Sequence, residues 1–137
     1  MQSNRTSRLG RVLTTVGTIA AAGALVGTMS TQAYAANISV ATNGTSEWNS
    51  GAGVARYQEN GDYLTISDRD ADGASVYAFI TDMNDNTLRA RTYSGGAGGS
   101  KTWNFNLPEN KQIWLYVCLK DNGVIQDLTC KWYRGRA

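Results

Sequence analysis

Residues Ser67–Val76 read SDRDADGASV, with aspartates at 68, 70 and 72 and a glycine at 73. Alternate carboxylates before a glycine are how an EF-hand calcium loop begins, since a hard cation wants oxygen ligands spaced along a tightly turning backbone. Counting from Asp68, Asp70 and Asp72 fill the third and fifth positions, and Gly73 the sixth. The ninth is Val76 and the twelfth Phe79, so the bidentate glutamate is missing. The flanking runs also alternate like strands rather than helices. The expectation is an Asp-rich turn with Gly73 at positive φ. Asp68, Asp70 and Asp72 remain only weak candidates for a metal, and no metal site or other cofactor is expected.

Other chemistries are limited by what the chain lacks. It has no histidine, which removes Ser-His and Cys-His nucleophiles and His-ligated metals. A carboxylate pair needs one acid held protonated by an apolar pocket, whereas Glu47, Glu59 and Glu109 all sit among polar or turn residues. Ser100 and Lys101 are adjacent, so on a strand they point to opposite faces. The run GGAGG at 95–99 lacks the Lys-Ser/Thr ending of a phosphate loop and precedes a strand. A non-catalytic protein is expected.

Binding residues are easier to nominate. Arg89, Arg91 and Tyr93 alternate along one run and therefore share a face, with Leu88 and Ala90 opposite. Arg and Tyr on a flat outer face are common anchors of protein interfaces, and they can also stack on a sugar. Trp114 and Tyr116 alternate with Ile113, Leu115, Val117 and Leu119. That run is apolar on both faces, so either it is central and covered twice or its outer face is a binding surface.

The elements that must position these residues follow from the rest of the chain. Residues 1–35 begin with three arginines and no acid, continue as an apolar small-residue stretch, and end in AYA. This is the pattern of a secretory signal peptide cut after Ala35. Its loss would take three of the thirteen basic residues and leave ten against eleven acids, a net charge of −1. A nearly neutral chain has no electrostatic case for nucleic acid, and no membrane partner is expected. Export places Cys118 and Cys130 in an oxidising compartment, so they are expected to form a disulfide. The loop of about a dozen residues would contribute roughly 3 kcal/mol on the chain-entropy estimate.

From residue 54 to 137 short apolar runs alternate with turns: Asn60-Gly61, the Asp-rich stretch, the glycine loop, Pro108 and Asp121-Asn122-Gly123. The pattern predicts an all-β fold, a small antiparallel β-sandwich of about seven to eight strands. Leu64/Ile66, Leu88/Ala90 and Trp103/Phe105/Leu107 are expected to fill its core, and the C-terminal ribbon to bury Leu128 and Trp132. Residues 36–53 are polar apart from Ile38, Val40 and Trp48, and are expected as an extended N-terminal arm. Ile38 and Val40 would pair with a partner's sheet edge and Trp48 would anchor the contact. A tail, or an eighth strand of the chain's own sandwich, are the alternatives.

The stretches GDYLTISDRDADGASV and WLYVCLKDNGVIQDLTCKWY resemble the small secreted β-proteins of filamentous actinobacteria, and among them the adaptor subunits of secreted umbrella toxin particles. The resemblance runs from Gly53 to Tyr133 and rests on Gly61, Asp62, Leu64, Asp68, Ala71, Asp72, Gly73, Val76, Cys118, Gly123, Cys130 and Trp132. A second cysteine pair and a histidine of that pattern are absent here; Ser67 and Ala74 stand at the corresponding places. The resemblance implies a scaffold joining a lectin-bearing subunit to a large repeat-containing toxin. The expected function is therefore a secreted adaptor or protein-binding protein. A protease inhibitor and a small carbohydrate-binding module are the alternatives.

Overall fold

A computed structural model describes residues 37–137; the expected signal peptide lies outside them. The described residues form eight strands: β1 (Asn37–Ala41), β2 (Gly53–Gln58), β3 (Tyr63–Asp68), β4 (Ser75–Thr81), β5 (Thr87–Tyr93), β6 (Ser100–Asn104), β7 (Gln112–Asp121) and β8 (Val124–Arg136). They build two antiparallel sheets in the orders β1-β2-β3-β6 and β5-β4-β7-β8. The described residues contain no helix, hence none long and apolar enough to cross a membrane.

Turn chemistry closes the hairpins. Asn122 and Gly123 adopt φ of 47° and 84° between the paired ends Asp121 and Val124. Two successive positive φ values match the right-handed twist of the flanking strands. At the β2–β3 turn Asp62 is itself at positive φ and buried. Its carboxylate accepts the Tyr57 hydroxyl (2.5 Å) on one oxygen and the Leu107 N–H (3.0 Å) on the other. This charge can be buried because both oxygens are occupied. The Tyr57 hydroxyl is pushed far above the usual tyrosine range, first by burial and then by Asp62.

Alternate residues of each strand meet between the sheets: Ala55 and Tyr57, Leu64 and Ile66, Val76, Ala78 and Ile80, and Ile113 to Leu119. Phe105 and Leu107, just past β6, complete this core, with Trp103 partly buried beside them. Cys118 and Cys130 are joined, with Cα atoms 4.2 Å apart. The bond spans an irregularity. Val117 pairs with Lys131 but Leu119 with Gln126, leaving Asp127–Cys130 opposite Cys118 alone. Buried Thr129 holds this bulge, donating to the Gln126 carbonyl (2.7 Å) and accepting the Leu119 N–H (2.9 Å).

Three expectations are corrected. The arm's Ile38 and Val40 do not face a partner; they are 4% exposed in the chain's own core. β1 pairs with β2 from Asn37↔Gln58 to Ala41↔Val54, so the arm begins as the eighth strand. Two apolar side chains looked too few to offset ordering the segment, but five residues also gain a backbone ladder that saturates the edge of β2. Second, Arg89, Arg91 and Tyr93 pair with Ile80, Ala78 and Val76, and so point to the inner side of their sheet, while Ala90 lies on the outer side opposite Phe79. Third, Leu128 is 82% and Trp132 53% exposed: the bulge lifts Leu128 out, and Trp132 lies on the outer face.

Candidate functional site

The outer face of β5-β4-β7-β8 carries five aromatic side chains, four half-buried and one, Trp132, exposed. Tyr77 and Phe79 project from β4, Trp114 and Tyr116 from β7, and Trp132 and Arg134 from β8. The register puts Phe79, Tyr116 and Trp132 in one row across the sheet, with Trp114 and Arg134 in the next. No described element packs over this face, which decides the question left open for Trp114 and Tyr116. They line a surface.

The rings form a connected ladder. Phe79 and Tyr116 stack face to face, centroids 4.5 Å apart and planes within 6°. Tyr77 lies 5.4 Å from Phe79. Tyr116 is 6.5 Å from Trp132, which meets Trp114 edge to face at 4.7 Å. Cations close the ends: the Arg134 guanidinium sits 4.4 Å from the Trp114 ring centre, and the Lys120 ammonium 5.5 Å from that of Tyr77. Burial, and after it the charge of Asp85, raises the Tyr116 hydroxyl above its ordinary value, so this phenol stays a neutral hydrogen-bond donor and acceptor.

This orientation has a chemical consequence. Parallel rings at van der Waals separation on adjacent strands stand up from the sheet, spending their faces on one another. Trp132 is the most open ring of the ladder, 53% exposed, and with Arg134 and Lys120 beside them the rings make a mixed apolar and cationic surface.

The other nominated residues lie elsewhere. Trp48 is half-buried in the loop after β1, where the Thr45 hydroxyl accepts its N–H at 3.1 Å. It lines a shallow depression of about 200 Å³ with Gln126, Leu128 and Thr129. Arg89 and Arg91 hang over Phe105, their guanidinium carbons 5.9 and 5.1 Å from the ring centre. Tyr93 lies across the glycine loop, where a Cβ at Gly95 or Gly99 would strike its hydroxyl. That loop is also tied to Asp68 by two backbone bonds.

The aspartates are taken up by hydrogen bonds, two of them within their own turn. Asp68 is buried and accepts the Asp70 N–H at 3.1 Å; Asp70 accepts the Asn49 amide at 2.6 Å; Asp72 accepts the Ala74 N–H at 2.9 Å. Gly73 takes φ +81°. Among the described residues no three acidic side chains gather at metal-binding distance. Burial raises the Asp68 pKa, opposed by the Asp70 N–H and reinforced by the charges of Asp72 and Asp70.

Sequence reasoning missed Tyr77, Phe79 and Trp132 as members of the aromatic surface. The Tyr-x-Phe spacing of β4 and Trp-x-Tyr spacing of β7 show that each pair shares a face. Only the register aligns them into one ladder.

No family model matches the chain, and no curated protein is similar to it. A structure with a similar backbone is that of an endonuclease/exonuclease/phosphatase from Beutenbergia cavernae DSM 12333 (24% identity, TM-score 0.48). The match covers 74% of this chain and 27% of that one, so this chain corresponds to about a quarter of that protein.

Proposed function

We propose that this chain is an exported, non-catalytic protein-binding domain of adaptor type, which docks a partner protein on the aromatic outer face of β5-β4-β7-β8. The observation that carries the reading is the ladder itself: five rings from three strands, uncovered by any described element, with Arg134 and Lys120 at its ends. Trp, Tyr and Arg dominate the energetics of protein interfaces because each combines large contact area with a polar or cationic handle. A rigid sheet presents them already ordered, which lowers the entropy cost of association.

The lack of histidine and the structural use of Asp68 and Asp72 by their own turn and of Asp70 by Asn49 favour binding over catalysis. The disulfide suits an oxidising, extracellular location. The resemblance to umbrella-particle adaptors supplies candidate partners, a lectin-bearing subunit and a large repeat-containing toxin, and both are proteins.

The test is co-purification from the producing organism's culture fluid, comparing the natural chain with a Trp114→Ala/Trp132→Ala variant, alongside a glycan array. A protein partner that follows the natural chain and is lost from the folded variant supports the reading. Glycan binding that depends on the same two residues would replace it with a carbohydrate-binding module.

A further inference from the structure

A second surface lies where the two sheets part, along β5 and β6. Each is the last strand of its sheet. Arg89, Arg91 and Tyr93 project from β5 towards the inner side. From the other sheet, Lys101 pairs with Ile66 and Trp103 with Leu64, so both also point inward. Phe105, immediately after β6, lies beneath both guanidinium groups, while the Lys101 ammonium sits 5.4 Å from the Trp103 ring centre. The result is a flank where two guanidiniums lie over Phe105 and an ammonium lies beside Trp103 on the edge strand of the other sheet.

Its charge is unbalanced. Residues 87–108 hold these three cations and no acid, whereas the rest of 37–137 holds seven cations and eleven acids. None of the three makes an ion pair among the described residues. Arg89 and Arg91 each donate one N–H to the preceding carbonyl, Leu88 or Ala90, at 2.7 Å. The remaining guanidinium donors stay available. Two like charges lie over one ring, each fixed to the preceding backbone carbonyl, and an anion between them would relieve the repulsion.

Geometry selects the form of that anion. Alternate residues of a strand are about 6.6 Å apart, so the roots of Arg89 and Arg91 repeat at the spacing of alternate side chains in an extended peptide. Carboxylates at alternate positions can therefore meet both forks, each in the two-bond geometry that guanidinium favours. A second copy would bring this positive flank against its like. Three cations on a chain that is otherwise acidic are too few for nucleic acid, whose binding rests on many neutralised phosphates.

We infer that the β5–β6 flank docks an acidic, extended segment of a partner protein, held by Arg89 and Arg91 from β5 and by Lys101 from β6. It goes beyond the reading above and stands without it, because Arg89 and Arg91 leave their sheet on the side opposite Phe79 and Tyr116. With both surfaces occupied, one small sandwich bridges two proteins.

The test is calorimetric titration of the purified protein with three probes: a seven-residue peptide of alternating Thr and Glu with blocked ends, the same peptide with Gln for Glu, and a heparin-derived sulfated oligosaccharide. The Glu peptide binds, and its affinity falls as salt rises. The Gln peptide binds at least about tenfold more weakly, as expected when charge-assisted bonds are lost. Arg89→Gln/Arg91→Gln weakens the Glu peptide by at least about tenfold, while Trp114→Ala/Trp132→Ala leaves it unchanged, the two faces being separate. If the double Arg variant does not fold, Lys101→Gln on β6 must lower the affinity. Equal affinity for the two peptides overturns the inference. So does full binding by a folded Arg89→Gln/Arg91→Gln variant, or by Lys101→Gln where that variant stands in. A sulfated oligosaccharide bound more tightly than the Glu peptide would make the flank a polysaccharide site and overturn the inference.

Discussion

Ile38→Ala separates an arm that belongs to the fold from one that hangs free. Ile38 is 4% exposed and packs with Val40 against the core, so truncation removes buried methyl groups and leaves a cavity. Ile→Ala in a core costs about 2–5 kcal/mol. β1 is an edge strand that can relax inward, which places the expected loss at about 2–4 kcal/mol on that scale. For a domain of about 100 residues each kcal/mol moves the melting temperature by roughly 4–8 °C. Thermal unfolding followed by circular dichroism should therefore show a fall of about 10–30 °C on this scaling. Ser39 is the built-in control: it lies between Ile38 and Val40 but is exposed, and Ser39→Ala should stay within about 0.5 kcal/mol. Equal, small effects at both positions would mean that β1 is not docked, and the assignment of Ile38 and Val40 to the core would fall.

Other expected outcomes rest on single contacts. Replacing Cys118 and Cys130 by Ala should lower the stability measured in urea by about 3 kcal/mol, since the loop they close no longer restricts the unfolded chain. Tyr57→Phe leaves a buried oxygen of Asp62 without its donor and should cost about 1–3 kcal/mol, read from the same urea transition. Asp68→Asn should raise stability at neutral pH. The Asp68 pKa is higher folded than unfolded, so the stability it contributes is present below the unfolded value and lost as pH rises through the folded one. The advantage of Asn should then fade as the buffer is taken below the unfolded carboxylate value of about 3.9. An Asn variant less stable than the parent at pH 7 would refute the assignment.

Much of the architecture is local, and so could be read from the chain. Asn122-Gly123 dictates a hairpin because both residues must take positive φ. The neighbouring strands then bring Cys118 and Cys130 together, and a chain with one cysteine pair has a single way to join it within itself. Alternation in Leu64/Ile66 and in Ile113–Leu119 marks inner faces because those sets are uniformly apolar. The Asp-rich turn is largely local too, since Asp68 and Asp72 each accept an N–H two residues on, although Asp70 reaches Asn49 in the loop after β1.

What the chain alone could not decide is which side of a sheet a mixed strand turns inward. Arg89, Arg91 and Tyr93 share a face by alternation, yet alternation is symmetric under exchange of the two faces. Pairing with Ile80, Ala78 and Val76 sends the arginines inward, and the inner side is tolerable there because β5 is an edge, open to water beyond Phe105. The fate of the arm, the outward turn of Leu128 and the alignment of Phe79, Tyr116 and Trp132 have the same origin. Each depends on residues far away in the chain: β2 offering an edge, a bulge opposite Cys118, and three strands in register. Periodicity within a strand is set by its own backbone, whereas the environment on either side of it is supplied by the rest of the fold.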